Sequence, residues 1–489
     1  MRVAVAFPWS KLIRGGRKGS IASGRDQMGK TRRVKDSMGE VSIPDHALYG
    51  AQTRRAMDNF PVSGTPMPAA FIRAAARIKE SAARVNRDLG LLEQDMADAI
   101  IAACEAIIAG NHIDQFPVDV YQTGSGTSTN MNVNEVVATL AGKQLGREVH
   151  PNDHVNLGQS SNDVIPTAIH VSAAVALRDD LLPALEHLQS RIEEKARGLE
   201  DCVKTGRTHL MDAVPLTMAQ EMSAWAGQVG QQREWLQQGL DDLCDLAQGG
   251  TAVGTGINTH AEFARRFAED LAAQTGLPLR PAANLFTAIS SQDTAVAVSG
   301  RLKSLAVVLT KIANDLRWMN SGPLAGLGEI VLETLQPGSS IMPGKVNPVI
   351  PEAVLMAAAR VIGNDTTVAI AGQAGNFQLN TMLPLIADVL LQGMELLSNS
   401  CRLLADRAIA TFEVRHDNIR RNLERNPILA TALNPYIGYA AAAKIARQAY
   451  EEQRPVIDVA AEQTDLTRDQ LETILDPLKL VRGGFAGKN

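Results

Sequence analysis

The stretch VSGRLKSLAVVLTKIANDL, residues 298–316, places apolar side chains alternately four and three positions apart. This spacing puts them on one face of an α-helix, the pattern of a long helix that packs along other helices. Gly322 and Pro323 then end the helical run. The stretch predicts a long core helix whose buried face consists of Val298, Leu302, Leu305, Leu309, Ile312 and Leu316.

A second stretch repeats the pattern, and Pro183 within it is predicted to kink the helix. Its apolar residues are Leu177, Leu181, Leu185, Leu188 and Ile192. Long helices of this kind predict an all-α fold built around a helix bundle. Hydrophobic residues make up 45% of the chain and aromatic residues only 4%, which is typical of an Ala- and Leu-rich helical core. Because the apolar faces are broad, we expect neighbouring subunits to bury part of them.

The pattern changes along the chain divide it into four segments. We predict a basic, disordered leader at residues 1–37 and an N-terminal domain of short elements at 38–165. The long helices occupy a central domain at 166–411, and shorter, more charged helices form a C-terminal domain at 412–489. A chain of 489 residues exceeds the size at which one core usually keeps growing, so several domains are expected.

Charge is unevenly distributed. The net charge is −5, but residues 1–36 hold ten Lys or Arg against two Asp or Glu, which leaves 38 against 51 in the remainder. An acidic body argues against a nucleic-acid partner. No apolar stretch in the leader is long enough for a secretory signal, and we expect no segment to span a membrane. We therefore predict a cytoplasmic protein, in which the leader is disordered or results from an upstream start codon with Met28 as the natural start. The alternative is an organelle matrix, if the leader is a transit peptide.

The four cysteines lie far apart without paired spacing. They are Cys104, Cys202, Cys244 and Cys401. This distribution predicts buried thiols in a reducing compartment and neither a disulfide framework nor a zinc site.

The segment GSSIMPGKVNP, residues 338–348, is predicted to be a loop because its glycines and prolines suit neither a helix nor a central strand. Glycines allow backbone N–H groups to converge on a ligand. Lys345 and Asn347 are two residues apart, so an extended backbone would direct both side chains the same way. The segment favours an anionic ligand over a solvated turn.

Three further polar segments interrupt helical patterns. Residues 123–130, TGSGTSTN, contain no nucleotide-binding motif and suit either a carboxylate site or a capped turn. Residues 150–163 include HPNDHVN and QSSND, and Pro151 argues against a metal-binding pair of histidines there. Residues 206–213, GRTHLMDA, place His209 in a predicted loop between a helix ending near Thr208 and another beginning near Pro215. A lone histidine is often structural, but this loop position favours catalysis.

These motifs resemble, in order and spacing, those of the fumarase/aspartase superfamily from Met38 to about Val481. GSSIMPGKVNP is its signature loop. QTGSGT, VHPNDHVN, QSSND, GRTHLMDAVPLT and GGTAVGTGIN are similar to class II fumarases, whereas aspartases tend to show GGAGTS and QSTND. The stretches VIPE, GNDTT and NPYIG have aspartase-like character, and GNFQLN is again fumarase-like.

The resemblance implies a three-domain fold and a homotetramer with a twenty-helix core, in which three subunits form each active site. It implies reversible anti addition of water to fumarate, giving L-malate through an aci-carboxylate, with a small dicarboxylate as ligand and neither a metal nor a redox cofactor. Two alternatives are an aspartate ammonia-lyase of the same fold and a catalytically silent helical scaffold.

The resemblance also implies residue roles. Ser339 would remove the C3 proton as an alkoxide, stabilised by Lys345 and the loop amides. His209, paired with Glu352, would protonate the departing water. Substrate carboxylates would contact Ser125, Gly126, Thr127, Ser160, Ser161, Asn162, Thr208, Ser340, Lys345 and Asn347. A second, non-catalytic anion site would comprise His150, Pro151, Asn152 and Asp153.

Overall fold

The computed structural model describes residues 30–484, and most of the predicted leader lies outside these residues. Its last part does not. Strand β1 (Thr31–Asp36) pairs with β2 (Gly39–Pro44) in an antiparallel hairpin. Arg55 anchors this hairpin through a bond from its Nε to Asp36 Oδ2 at 2.8 Å. The predicted leader boundary at residue 37 is therefore wrong, because residues 31–36 belong to the folded body.

Four helices form the N-terminal region. They are α1 (Ala51–Asn59), α2 (Ala69–Asp88), α3 (Gln94–Ile108) and α4 (Thr127–Leu145). The buried Glu135 of α4 caps the start of α1, accepting the Gly50 N–H at 2.8 Å and the Thr53 hydroxyl at 2.6 Å. This carboxylate supplies the acceptor that the first turn of α1 needs.

The central region contains the long helices. Their bounds are α5 (Ser161–Ala176), α6 (Leu182–Ala196), α7 (Met218–Asp242), α8 (Phe263–Thr275), α9 (Leu285–Ser290), α10 (Asp293–Met319), α11 (Val349–Gly372) and α12 (Leu383–Leu404). Helices α5, α6, α7, α10, α11 and α12 pack on one another as a bundle. The six apolar residues of the opening stretch are at most 2% exposed, which confirms the predicted core helix.

Two details of this region differ from prediction. Pro166 lies inside α5, so the domain boundary predicted between residues 165 and 166 falls within a helix. A π-helical turn at Leu177–Leu181 joins α5 to α6, and Pro183 sits in the first turn of α6, where a missing N–H is tolerated. The helix therefore changes its geometry before Pro183, at the π-helical turn, rather than at the predicted kink.

The strands after β2 are short and pair two by two. They are β3 (Val203–Thr208), β4 (Met211–Thr217), β5 (Asp245–Leu246), β6 (Arg280–Pro281), β7 (Ile330–Val331), β8 (Gly375–Asn376), β9 (Leu379–Asn380) and β10 (Glu413–Val414). Among the strands of residues 30–484 only β5–β6 is a parallel pair, and helices dominate this part of the chain. The β3–β4 hairpin corrects the prediction of a helix ending near Thr208 and another starting near Pro215.

The C-terminal region consists of shorter helices around a 3-10 segment at Pro427–Leu433. They are α13 (His416–Glu424), α14 (Asn434–Ile437), α15 (Tyr439–Glu452), α16 (Val456–Gln463), α17 (Arg468–Ile474) and α18 (Pro477–Leu480). Buried residues from Leu423 to Leu475 form a hydrophobic cluster separate from the main core. Phe412 and Ile419 belong to the main core, so the separate cluster begins later than the predicted boundary at residue 412.

Helix α11 is the most apolar of the long helices. By length and composition it could cross a membrane, contrary to the expectation that no segment reaches that length. It instead packs against α10 and α12, and its buried Asn364 donates to Gln392 Oε1 at 3.1 Å. Met356 and Ile370 remain 69% and 54% exposed, so this helix keeps an apolar face outside the protomer core.

Candidate active site

The first predicted carboxylate site lies at the start of α4. Only the residues up to Gly126 form a loop, because α4 begins at Thr127 and the predicted interruption therefore does not extend to Asn130. Gly126 has φ of 73°, and a Cβ there would lie 2.9 Å from the Ile165 side chain. Glycine is required at this turn on both counts. The hydroxyl oxygens of Ser125 and Thr127 are 2.9 Å apart.

The second carboxylate site lies at the start of α5, which contacts α4. Ser160 caps this helix and forms a reciprocal capping box with Asp163. The Ser161 hydroxyl accepts from Asn130 Nδ2 at 3.1 Å, and Asn162 donates to the Ala252 carbonyl at 2.8 Å. The structure thus brings the hydroxyl-rich starts of α4 and α5 together, where two helix N-termini favour an anion.

Asp163 ties a third segment to this cluster. Its Oδ2 accepts the Gly249 and Thr251 N–H groups at 3.0 and 2.9 Å, while Oδ1 accepts the Ser160 N–H at 2.9 Å. Desolvation raises the pKa of this fully buried carboxyl to about 6, against the opposing effect of the three backbone donors. Asp163 therefore holds the fumarase-like GGTAVGTGIN segment against the start of α5.

His209 lies in the two-residue turn of the β3–β4 hairpin. His209 and Leu210 have φ of 56° and 62°, a left-handed conformation that such turns require and that Asn-Gly adopts more readily. Both side chains are exposed. Histidine adopts this conformation more often than most residues whereas leucine rarely does, so the strain of the turn lies at Leu210.

Buried ion pairs fix the base of the hairpin. Lys204 Nζ lies 2.5 Å from Glu221 Oε2 and 2.6 Å from Glu329 Oε2, and Arg207 Nη1 lies 2.7 Å from Glu329 Oε1. Lys204 and Glu329 are each only 2% exposed. The exposed turn is thus presented by a rigid base.

The segment at residues 338–348 is a loop, as predicted. It is closed by the bond from the Gly338 N–H to the Lys345 carbonyl at 2.7 Å and by Asn347 Nδ2 donating to the Gly338 carbonyl at 2.8 Å. The Asn347 side-chain amide is therefore bonded within the loop, whereas the Lys345 side chain is exposed. The prediction that an extended backbone directs both side chains the same way is not met. Ser340 is also exposed.

Ser339 is the most constrained hydroxyl of this loop. Its Oγ accepts the N–H groups of Ile341 at 3.2 Å and Met342 at 3.0 Å. Two backbone donors directed at one oxygen stabilise negative charge on it more than on the neutral hydroxyl. Glu352 follows in the first turn of α11 and is half-buried.

The three groups of predicted site residues are not joined within the protomer. Across residues 30–484, no hydrogen bond or ion pair links the turn at His209 or the 338–348 loop to the starts of α4 and α5. The expected pairing of His209 with Glu352 is likewise not formed inside this single chain.

The predicted second anion site forms a π-helical turn at Pro151–Val155. His150 Nδ1 accepts the N–H groups of Asn152 and Asp153 at 3.3 and 3.1 Å, so this ring caps the start of the turn. The Asp153 side chain is exposed. In the part of the chain that the structure describes, no group of three or more His, Cys, Asp and Glu side chains is arranged as a metal site.

Sequence reasoning missed a buried polar network beneath the starts of α4 and α5. Lys79 of α2 is fully buried and donates to Asn156 and Gln159. A signal was present, since Lys79 is spaced helically with Ala75 and Ala82 on the apolar face of α2. A lysine on such a face is uncommon and indicates a buried charged group.

Comparison with known proteins agrees with this architecture. Residues 39–363 match a family model described as lyase, and residues 429–482 match one described as fumarase C C-terminus. The bundle and its polar loops are therefore those of a lyase. The protein named fumarate hydratase class II 2 from Pseudomonas aeruginosa is 61% identical, over 94% of this chain and all of that one. The chain belongs to the class II fumarate hydratase family.

Other relatives give the same picture. The fumarate hydratase class II of Xylella fastidiosa is 57% identical over 94% of this chain and 98% of its own length. The crystal structure of recombinant class II fumarase from Schistosoma mansoni has a TM-score of 0.90 at 37% identity, covering 92% of this chain and 99% of that one. The similarity confirms the predicted superfamily and its helical fold.

Proposed function

We propose that this chain catalyses the reversible hydration of fumarate to L-malate, as a cytoplasmic enzyme whose ligand is a small dicarboxylate. Membership of the class II fumarate hydratase family supports this activity. The single observation that supports the chemistry best is the pair of backbone N–H groups directed at Ser339 Oγ.

The difficult step in the dehydration direction is removal of the C3 proton of malate, since the neighbouring carboxylate must accept a second negative charge. Ser339 takes this proton as an alkoxide. A serine hydroxyl is a poor base at neutral pH, so its anion needs local stabilisation, which the Ile341 and Met342 amides provide with help from Lys345. Helix α11 begins directly after the loop, and its N-terminus adds to the positive potential.

His209 protonates the departing hydroxyl, and Glu352 orients its ring. Because the turn is exposed, it can reach a ligand on another subunit. The ion pairs at the base of the hairpin hold the turn in position. Substrate carboxylates bind at the starts of α4 and α5, through Ser125, Gly126, Thr127, Ser160, Ser161 and Asn162. The β3–β4 hairpin contributes Thr208, and the 338–348 loop contributes Ser340, Lys345 and Asn347. His150, Pro151, Asn152 and Asp153 form the second anion site.

The active form is a homotetramer in which three subunits contribute to each site. The exposed apolar residues of α11 support this assembly, because an apolar face of this length is unfavourable in water. The separation of the three polar groups within one protomer supports shared sites. We keep the proposed division into three domains, 38–165, 166–411 and 412–489, with three corrections. The first hairpin begins at Thr31, α5 continues through the boundary at 165/166, and the separate C-terminal cluster begins after residue 412.

A hybrid experiment tests the shared sites. Ser339→Ala and His209→Asn variants are purified separately, then denatured and refolded together. If the two residues act from different subunits, random mixing restores about a quarter of wild-type activity, because half the loops and half the turns are intact. If both act within one chain, mixing restores none. Light scattering of the same samples must show a tetramer, and a fully active monomer would contradict the assembly.

The proposed reaction is tested by the loss of fumarate ultraviolet absorbance in plain buffer, with and without ammonium and with added chelator. We expect hydration without ammonium and no effect of the chelator. Consumption of fumarate only with ammonium would identify an aspartate ammonia-lyase instead.

A further inference from the structure

Lys79 is a fully buried lysine without a carboxylate partner. It is 0% exposed, and no Asp or Glu of residues 30–484 lies within ion-pair distance of its Nζ. The ammonium instead donates to two side-chain amide oxygens, Asn156 Oδ1 at 2.8 Å and Gln159 Oε1 at 2.9 Å. A buried ammonium whose hydrogen-bond acceptors are two neutral amides is costly, so a purely structural role favours an apolar residue here.

The two amides that receive these bonds lead to the proposed carboxylate site. Asn156 Oδ1 also accepts from Asn130 Nδ2 at 3.2 Å, and the same Nδ2 donates to Ser161 Oγ at 3.1 Å. Gln159 directly precedes Ser160, and Asn156 Nδ2 holds the Gln159 carbonyl at 3.1 Å. A continuous series of hydrogen bonds thus connects Lys79 through Asn156 and Asn130 to the Ser161 hydroxyl.

The charged surroundings of Lys79 are few. Asp163 at the start of α5 and the Cys104 thiol of α3 are the titratable groups that act on it. Burial lowers the pKa of Lys79 to about 7, opposed by the carboxylate of Asp163, and burial raises the pKa of Cys104. The thiol is therefore neutral, and Asp163 is occupied by backbone donors.

We propose that Lys79 is a positioning residue for the substrate-binding turn at residues 159–162. Through Asn156 and Gln159 it fixes the backbone and the Ser161 hydroxyl in the orientation that accepts a substrate carboxylate. It does not touch the substrate. This inference rests on the proposed function only in naming the ligand as a dicarboxylate, because the network itself is read from the geometry.

The test replaces Lys79 by Met, which keeps the length of the side chain and removes its donors. We expect KM for fumarate and malate to rise about ten- to a hundredfold, the scale of a misplaced binding group, with a much smaller change in kcat. Lys195→Met is the matched control, since Lys195 Nζ donates to the Phe412 carbonyl at 2.6 Å. That bond lies outside the hydrogen-bond network of Lys79. The KM of Lys195→Met should equal that of the wild type.

Asn130→Ala provides a second route if Lys79→Met does not fold. It removes the last bond to Ser161 while Lys79 stays in place, so it should raise KM in the same way. Combining Lys79→Met with Ser161→Ala should raise KM no further than the larger single effect, because both act on one hydroxyl. Effects that multiply, or an unchanged KM in folded Lys79→Met or Asn130→Ala, would overturn the inference.

Calorimetric binding of succinate, which the enzyme cannot hydrate, separates the inference from the proposed reaction. If the wild type binds succinate and Lys79→Met binds it at least tenfold more weakly, the positioning role holds even if fumarate is not hydrated. Equal succinate affinity in the two proteins overturns the role and leaves the proposed reaction untouched. Failure of the wild type to bind succinate overturns the dicarboxylate site and this inference together.

Discussion

Replacement of Ser339 by Ala should separate catalysis from folding. The change deletes one oxygen, which accepts N–H groups from Ile341 at 3.2 Å and Met342 at 3.0 Å. The loop is closed independently by the bonds between Gly338, Lys345 and Asn347. A neutral hydrogen bond contributes about 0.5 to 1.5 kcal/mol, and water can satisfy both freed donors because Ile341 and Met342 are exposed, so stability should change little.

The loss of activity should be much larger. Removing a positioned base lowers kcat by at least about a hundredfold, which corresponds to about 2.7 kcal/mol of activation free energy. Turnover is followed by fumarate absorbance, stability by urea unfolding, and proton removal by exchange of the malate C3 hydrogen with deuterated solvent. Ser340→Ala is the neighbouring control, in which we expect a raised KM with C3 exchange retained.

Three results would refute this reasoning. Survival of C3 exchange in Ser339→Ala would show that another group is the base. A large fall in the urea midpoint would show that the hydroxyl holds the loop together. An equal loss of exchange in Ser340→Ala would show that the loop as a whole was disturbed.

Further expectations concern other parts of the molecule. His209→Asn should preserve the hairpin, since Asn tolerates positive φ. Turnover should fall while exchange of the malate C3 hydrogen is relatively preserved. Loss of both turnover and exchange would assign His209 to removal of the C3 proton. Glu329→Gln removes the carboxylate partner of Arg207 and leaves Lys204 with Glu221 alone, so urea unfolding should detect a loss of about 1 to 3 kcal/mol, and an unchanged midpoint would contradict the buried ion pairs. The pKa of Lys79 is about 7 in the folded protein, so between about pH 7 and pH 10 only the unfolded chain binds this proton, and stability gains from rising pH. The wild-type free energy of unfolding should therefore increase relative to Lys79→Met from pH 7 to pH 9, and a constant difference would argue against the lowered pKa.

Local sequence pattern predicted the bundle well, because helical periodicity depends on neighbours within a few turns. The face from Val298 to Leu316 is buried as expected, and the 338–348 segment is a loop because Gly and Pro restrict the backbone locally. The family and its helical fold were also accessible from short motifs. Errors arose where a pattern depends on distant contacts: Pro166 continues a helix, and the hairpin that carries His209 was expected to be a loop between helices.

The sequence by itself determined which residues can bind an anion or move a proton, because those properties belong to the side chains and to the loops that hold them. It also determined the family, because the motifs keep their order. Only the tertiary structure decided that the starts of α4 and α5 meet and that Lys79 supports Ser161 from beneath. These contacts join residues far apart in the chain, and their geometry follows from how the helices pack rather than from any local preference of the backbone.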